Sequence, residues 1–451
     1  MVVGFPGSTD RFLTSYGVKR AIEVYNPSVV TARTAIREVM DKDMRQEQKV
    51  RIQYATKFAQ LSNYWKFYIG QTQCLEDLNV YQTKKDIEDR FTKWIEQTPE
   101  RKAEYSNVLK DIENAMNVSN QYDYLRIYTN EAMLRGNSAL SIARQLVGLE
   151  KELRENGNSD KSKILAQRAN ETIKGIFKDF NYTTEEKLLA AGMDVFFKNV
   201  PTIHQSENFL QLAFKHRYDF TALANDIFSK TNLVTPEKVE KLLENPTADK
   251  IANDPVFQLY NMFIDNLIAR TENVRNSSIE LNRANRLFVK GVMEMESPKH
   301  FAPNANSTIR YTYGQVKDYN PKDGITYNYI TTLEGIMAKE DTTSWEFTIP
   351  SKLKELHRNK DYGQYAVNGT VPVAFITNND ITGGNSGSPV VNGKGELIGL
   401  AFDGNWEAMS GNIAFNPDLQ RCINVDIRYV LFIIDKFAGA QNLINEMKIV
   451  K

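Results

Sequence analysis

The sequence predicts an α+β fold, in which a large all-helical domain is joined to an antiparallel strand-rich domain that ends in a helix. Three observations carry this. Between about Pro27 and Pro303 the apolar residues recur at helical spacing, as in Tyr54, Phe58, Leu61, Trp65 and Tyr68. From about Asn304 the period changes to two, with Ile309, Tyr311 and Tyr313 alternating with Arg310 and Thr312, the pattern of a half-buried strand. Turns rich in glycine and asparagine then separate short apolar runs, as an antiparallel barrel or sandwich requires.

In chain order, residues 1–26 hold a strand-like start, the turn Gly4-Phe5-Pro6-Gly7 and a mixed stretch. Residues 27–303 contain repeated helix starts. Thr183 with Glu186 fits a capping box, and Thr235-Pro236 and Asp254-Pro255 each place a capping residue before a proline at the first helical position. Helix breaks are expected near Gln97–Pro99, Glu155–Asn158 and Asn199–Pro201. Residues 304–451 give strand-like runs at Val371–Ile376, Val390–Val391, Leu397–Phe402 and Ile423–Ile427. Asp426 to Met447 reads as one closing helix with Val430, Ile433, Ile434 and Phe437 on one face.

Composition removes several function classes. The 451 residues include 56 Lys+Arg against 56 Asp+Glu, so no basic excess marks a nucleic-acid footprint. With 41% hydrophobic residues a chain this long can bury a large core. No apolar run approaches the roughly 18 residues of a membrane span, and no signal peptide is visible at the start. The two cysteines, Cys74 and Cys422, form no zinc pattern and leave a single disulfide open. Nothing implies a metal or an organic cofactor.

One motif carries chemistry: Thr382-Gly383-Gly384-Asn385-Ser386-Gly387-Ser388-Pro389-Val390. A serine between glycines can sit on a tight turn with its hydroxyl exposed. Small neighbours let a substrate carbonyl approach the backbone, where the amides of Gly384 and Ser386 could meet a developing oxyanion. Each such donor is worth about 3 kcal/mol of transition-state stabilisation.

This string resembles the nucleophile loop of chymotrypsin-fold proteases. Together with Gly4-Phe5-Pro6-Gly7-Ser8-Thr9-Asp10-Arg11, Ser62-Asn63-Tyr64-Trp65-Lys66, Thr331–Gly335 and Phe402–Asn412, it is similar to the S46 serine peptidases, the dipeptidyl-peptidase 7 and 11 family of Gram-negative bacteria. The resemblance runs over essentially the whole chain. It implies a chymotrypsin-like double barrel with a helical insertion, of which residues 304–451 would be the C-terminal barrel half. It also implies release of dipeptides from the N-termini of oligopeptides, in the periplasm or at the cell surface, by a homodimer.

By the resemblance, Ser386 is the nucleophile and the Gly384 and Ser386 amides form the oxyanion hole. Gly404, 18 positions after the serine, lines the S1 pocket and implies hydrophobic P1 residues, since it offers no cation to a carboxylate. Asp403 and Asn63 are the candidates for holding the substrate's free ammonium group. Asn63 reads also as a polar residue on the exposed side of an amphipathic helix, and Asp403 as a turn residue. Trp406 reads as core rather than as a pocket wall.

The sequence departs from the family in one respect. A catalytic serine needs a general base, usually a histidine oriented by a carboxylate. None of His204, His216, His300 and His357 carries the family's histidine context. The chain is therefore expected to be a C-terminal portion lacking the N-terminal barrel half, with Met1 an internal residue and little activity alone. The competing readings are a non-catalytic peptide-binding remnant and an interaction protein.

Overall fold

The computed structural model describes residues 1–272, 274–344 and 346–450. It divides into two units, one formed by residues 1–13, 73–80 and 299–451, the other by residues 14–72 and 81–298.

The second unit is helical. Its core gathers Leu140, Ile142, Leu146, Leu189, Phe196, Phe209, Leu223 and Phe257, all essentially buried. The breaks expected from sequence fall where helices end: Val80–Ile95 gives way to Pro99–Tyr105, Ser138–Asn156 stops before Gly157, and Tyr182–Asn199 stops before Val200. Asp254 caps the helix Pro255–Thr271 by accepting from the Val256 and Phe257 amides. Thr235 stands at the N-cap of Pro236–Glu244 without a side-chain cap bond. The expected box at Thr183 differs. Asn181 caps instead, accepting from the Thr184 amide, and Thr183 lies inside the helix. An amide oxygen ranks at least as high as a threonine hydroxyl at this position, so the earlier residue sets the start.

The first unit is built on an antiparallel sheet. Its strands are β1 (Val2–Gly4), β2 (Arg310–Thr312), β3 (Tyr319–Lys322), β4 (Ile325–Tyr327), β5 (Ile330–Thr332), β6 (Pro372–Thr377), β7 (Ser388–Val391), β8 (Leu397–Gly404) and β9 (Cys422–Asp426). Seven of them run in the order β2-β1-β7-β8-β9-β6-β5, and β3 and β4 form a separate pair. The chain beyond β2 returns to β6 through an antiparallel bridge between Val316 and Thr377, and the Lys317 amide donates to the Ile376 carbonyl. The sheet thus curls back on itself, as a barrel does. Val2, Phe375, Val390, Ala401 and Cys422 fill the inside.

Two local outcomes differ from the sequence reading. On β2 the apolar side faces outward: Tyr311 and Ile309 are exposed. Val2 pairs with Thr312 and is fully buried, and directly paired residues share a face, so Thr312 turns inward and Tyr311 outward. The closing helix is also not continuous. Asp426 caps Ile427–Phe432, a wider turn follows over Ile433–Phe437, and the chain bends before Gln441–Asn445.

Candidate active site

The loop between β6 and β7 carries Ser386. Asn385, which is buried, is held at both ends of its residue: its backbone amide and its side-chain Nδ2 each donate to the Thr382 carbonyl, at 3.1 and 3.0 Å. The Ser388 amide donates to the Asn385 carbonyl at 2.9 Å, closing a tight turn with Ser386 and Gly387 at its corners. The Gly387 amide donates to Ala401 of β8 at 2.7 Å. Ser386 is exposed as a result.

Gly384 and Gly387 have φ of 103° and 80°, a region open chiefly to glycine. A Cβ on Gly384 would overlap the Phe5 carbonyl oxygen and stand 2.9 Å from the Gly7 nitrogen. The turn therefore depends on both its glycines, and Gly384 additionally on the close passage of another backbone.

The amides around the serine are used unevenly. Those of Asn385, Gly387 and Ser388 are spent on protein carbonyls. Those of Gly384 and Ser386 donate to no acceptor among the described residues. Two unspent donors flanking a serine hydroxyl are what stabilisation of a tetrahedral oxyanion requires. The Ser386 hydroxyl lies 3.4 Å from the Phe402 carbonyl, a long hydrogen bond, and is paired with no histidine.

The histidines are engaged elsewhere or exposed. His204 packs edge-on to Tyr122 with ring centroids 5.2 Å apart, and burial, with Arg270 nearby, lowers its pKa. His216 contacts the Leu212 carbonyl at 3.1 Å and lies 3.6 Å from Asp226. His357 lies 3.8 Å from Glu334, and His300 is exposed. Among the described residues no group of three or more His, Cys, Asp or Glu side chains could hold a metal ion. Among them, too, no helix is long and apolar enough to cross a membrane.

Asp403 and Gly404 end β8 on the same unit as Ser386. Asp403 is exposed, and its Oδ1 accepts from the Gly404 amide at 2.8 Å. A Cβ on Gly404 would stand 3.0 Å from the Ala408 Cβ, so the short helical turn Trp406–Ser410 sits against this position. Trp406 is not core as expected: it is 41% exposed, because its indole N–H reaches out to Gln73 Oε1 at 3.1 Å. Cys74 and Cys422 are free and buried, and burial pushes the Cys74 thiol up to about 11 and that of Cys422 to about 12.

Asn63 lies in the helical unit, exposed on the helix Gln48–Asp77. Its neighbours on that helix are clamped. Arg33 Nη1 donates to the Leu61 carbonyl at 3.1 Å, Arg37 Nε donates to Ser62 Oγ at 2.8 Å, and the Trp65 indole donates to Thr34 Oγ1 at 2.8 Å.

Sequence reasoning missed what fixes the end of β8. Asn405 is buried, and its Oδ1 accepts from the Arg421 amide at 2.8 Å while its own amide donates to the Arg421 carbonyl at 3.0 Å. Its Nδ2 donates to Glu407 Oε2 and to the Leu419 carbonyl, both at 2.8 Å. The Tyr319 hydroxyl donates to the same Glu407 oxygen, and the Arg421 guanidinium lies over the Tyr319 ring at 5.4 Å. Arg421 is 1% exposed and satisfied by backbone carbonyls alone. Asn405 lies within the Phe402–Asn412 stretch, but a lone arginine 16 residues later gives no sequence signal.

Comparison with known proteins places this site in context. The profile of the family described as Peptidase S46 matches residues 1–449. The dipeptidyl-peptidase 7 of Phocaeicola vulgatus is 40% identical over 459 aligned positions, which cover 100% of this chain and 62% of that protein. An Asp/Glu-specific dipeptidyl-peptidase of Flavobacterium psychrophilum is 36% identical, over 100% of this chain and 63% of its own length. The structure of Porphyromonas endodontalis DPP11 in complex with the dipeptide Arg-Glu superposes with a TM-score of 0.89 at 31% identity, over 99% of this chain and 63% of that one. The chain thus spans a little under two thirds of the length of these relatives. Because relatives specific for Asp or Glu match over the same span, the expectation of a hydrophobic P1 preference is overturned.

Proposed function

The chain belongs to the Peptidase S46 family, and from that premise we propose that it is the nucleophile-bearing part of a serine peptidase that removes dipeptides from the N-termini of oligopeptides. The observation that carries the reading is the exposed Ser386 flanked by the unspent Gly384 and Ser386 amides. In this reading Ser386 Oγ attacks the carbonyl of the second substrate residue. The two amides take the charge that forms on its oxygen, and the amine of the third residue leaves. Water then releases the dipeptide from the acyl-serine. Asp403 accepts a hydrogen bond from the substrate's terminal ammonium and so sets the two-residue length, and Asn63 is the candidate acceptor that the helical unit offers. Gly404 lines the pocket for the P1 side chain. None of the four histidines is assigned as the proton acceptor, since the Ser386 hydroxyl is paired with none of them. A homodimer, and action in the periplasm or at the cell surface, are part of the same proposal.

The engagement of the histidines elsewhere favours a second reading, in which this chain by itself binds peptide N-termini without cutting them. One experiment separates the two. A free oligopeptide and its N-acetylated form are incubated with the protein, and products are read by mass spectrometry. Dipeptides from the free peptide only, lost in Ser386→Ala, support the peptidase. Saturable binding without products supports the second reading. Products that persist in Ser386→Ala remove this serine from the nucleophile role.

A further inference from the structure

The Gly4-Phe5-Pro6-Gly7 turn has no role in the mechanism above, yet its backbone lies along the loop that carries Ser386. A Cβ on Gly4 would overlap the side chains of Ser388 and Asn385, and one on Gly384 would overlap the Phe5 carbonyl. Between these approaches, the Gly7 amide donates to the Gly383 carbonyl at 2.7 Å. We infer that this hydrogen bond sets the oxyanion hole, making Gly7 a positioning residue for the Gly384 amide. The inference rests on the reading of that amide as an oxyanion donor.

The Gly383 carbonyl and the Gly384 N–H belong to one planar peptide group, which is trans, so they point to opposite sides. Fixing the oxygen fixes the direction of the hydrogen. Left alone, this peptide would be easily turned, because it joins two glycines and each has wide freedom in φ and ψ. A peptide that turns over presents its carbonyl, not its N–H, to the developing negative charge. Stabilisation by preorganised dipoles depends on their not having to reorient during the reaction. The restraint must come from outside the glycine pair, and the Gly7 amide supplies it.

The turn is itself held on both sides. The Ser307 amide donates to the Pro6 carbonyl at 2.9 Å, and the Asp10 amide donates to the Asn412 carbonyl at 2.7 Å. The Arg11 guanidinium donates to Asp380 Oδ1 at 2.8 Å and lies over the Phe415 ring at 5.6 Å. Asp380 opens the segment that leads to Gly383, so the turn is tied to the serine loop at two separate points.

The test uses the native gene product that carries this sequence. It measures the rate at which a dipeptidyl diaryl phosphonate labels Ser386, and the affinity for an unreactive dipeptide by calorimetry. Gly7→Pro removes the donor. Labelling is expected to fall on the order of 100-fold while dipeptide affinity stays within about twofold. Gly7→Ala keeps the N–H, with its Cβ 3.0 Å from the Gly383 oxygen, and is expected to recover most of the rate. Wild-type labelling in a folded Gly7→Pro overturns the inference and leaves the nucleophile reading standing. An equal loss of labelling and of dipeptide affinity also overturns it, because general disorder would do that. If Gly7→Pro does not fold, Arg11→Met takes its place: slower labelling at unchanged affinity supports the inference, and unchanged labelling overturns it. A wild-type protein unlabelled at Ser386 refutes the nucleophile reading, and this inference falls with it.

Discussion

Three glycines of the serine loop look interchangeable in sequence, and the structure predicts that they respond differently to the same added methyl group. At Gly383 a Cβ would meet nothing within 4 Å, and φ is not in the left-handed region. Gly383→Ala should leave stability unchanged or raise it by about 0.4–1 kcal/mol, by restricting the unfolded chain. At Gly387 the space is equally open but φ is 80°. Gly387→Ala therefore carries only the backbone strain, about 1–2 kcal/mol. At Gly384 φ is 103°, and the Cβ would also collide with the Phe5 carbonyl and the Gly7 nitrogen. Those are backbone atoms and cannot rotate aside. Backbone strain of about 1–3 kcal/mol and an overpacking cost of similar size combine to about 2–6 kcal/mol for Gly384→Ala. Urea denaturation of the three variants, compared at constant m-value, measures the series. Equal losses at Gly383 and Gly384, or the largest loss at Gly387, would refute the reasoning that the Phe5–Gly7 backbone decides this position.

Other sites give predictions of the same kind. Arg421→Met leaves five backbone carbonyls, those of Lys317, Asp318, Pro417, Asp418 and Gln420, without their donor, and should cost about 1–3 kcal/mol by urea denaturation. Lysine should not rescue it, since a point ammonium cannot serve the spread of acceptors that a guanidinium fork does. Glu185→Ala removes the acceptor of the Ser138 amide and hydroxyl, both at 2.6 Å, and of the Tyr54 hydroxyl at 2.8 Å. With the site buried, about 3 kcal/mol should be lost in the same assay. The thiols predict a pH response. Burial raises Cys74 to about 11 and Cys422 to about 12, whereas an unfolded thiol ionises near about 8.5. The fold holds both thiols protonated, so their contribution is fully present below about pH 8.5 and is lost as pH rises through 11 to 12. Cys74→Ser with Cys422→Ala should flatten the alkaline loss of stability, and alkylation of the native protein at pH 8 should be negligible until it unfolds.

Much of the fold was legible because local rules and tertiary packing agreed. Asp254-Pro255 started a helix as its chemistry requires, Gly157 followed one, and the strands from β6 to β9 fell on the predicted apolar runs. The reading failed at one helix cap for a local reason, and elsewhere where a choice depended on a distant neighbour. Thr183 lost the cap to Asn181, two residues earlier. Tyr311 faced outward because its strand pairs with β1, about 300 residues away, and the buried Val2 dictates which face turns inward. Trp406 reached out to Gln73 instead of entering the core.

At the candidate site the division is similar. The residue types of the Gly384–Ser388 string are legible in sequence, because a serine between small residues at fixed spacing is a one-dimensional pattern, and the family is legible through resemblance over the whole chain. Which amides remain unspent does not. That is decided by where the carbonyls of Thr382, Asn385 and Ala401 lie, and by the passage of Phe5–Gly7 against Gly384. Nor could sequence show that Arg421, buried among carbonyls, holds the end of β8 beside Asp403 and Gly404. Hydrogen bonds between residues far apart in the chain leave no spacing to read, and only the folded backbone brings their donors and acceptors within reach.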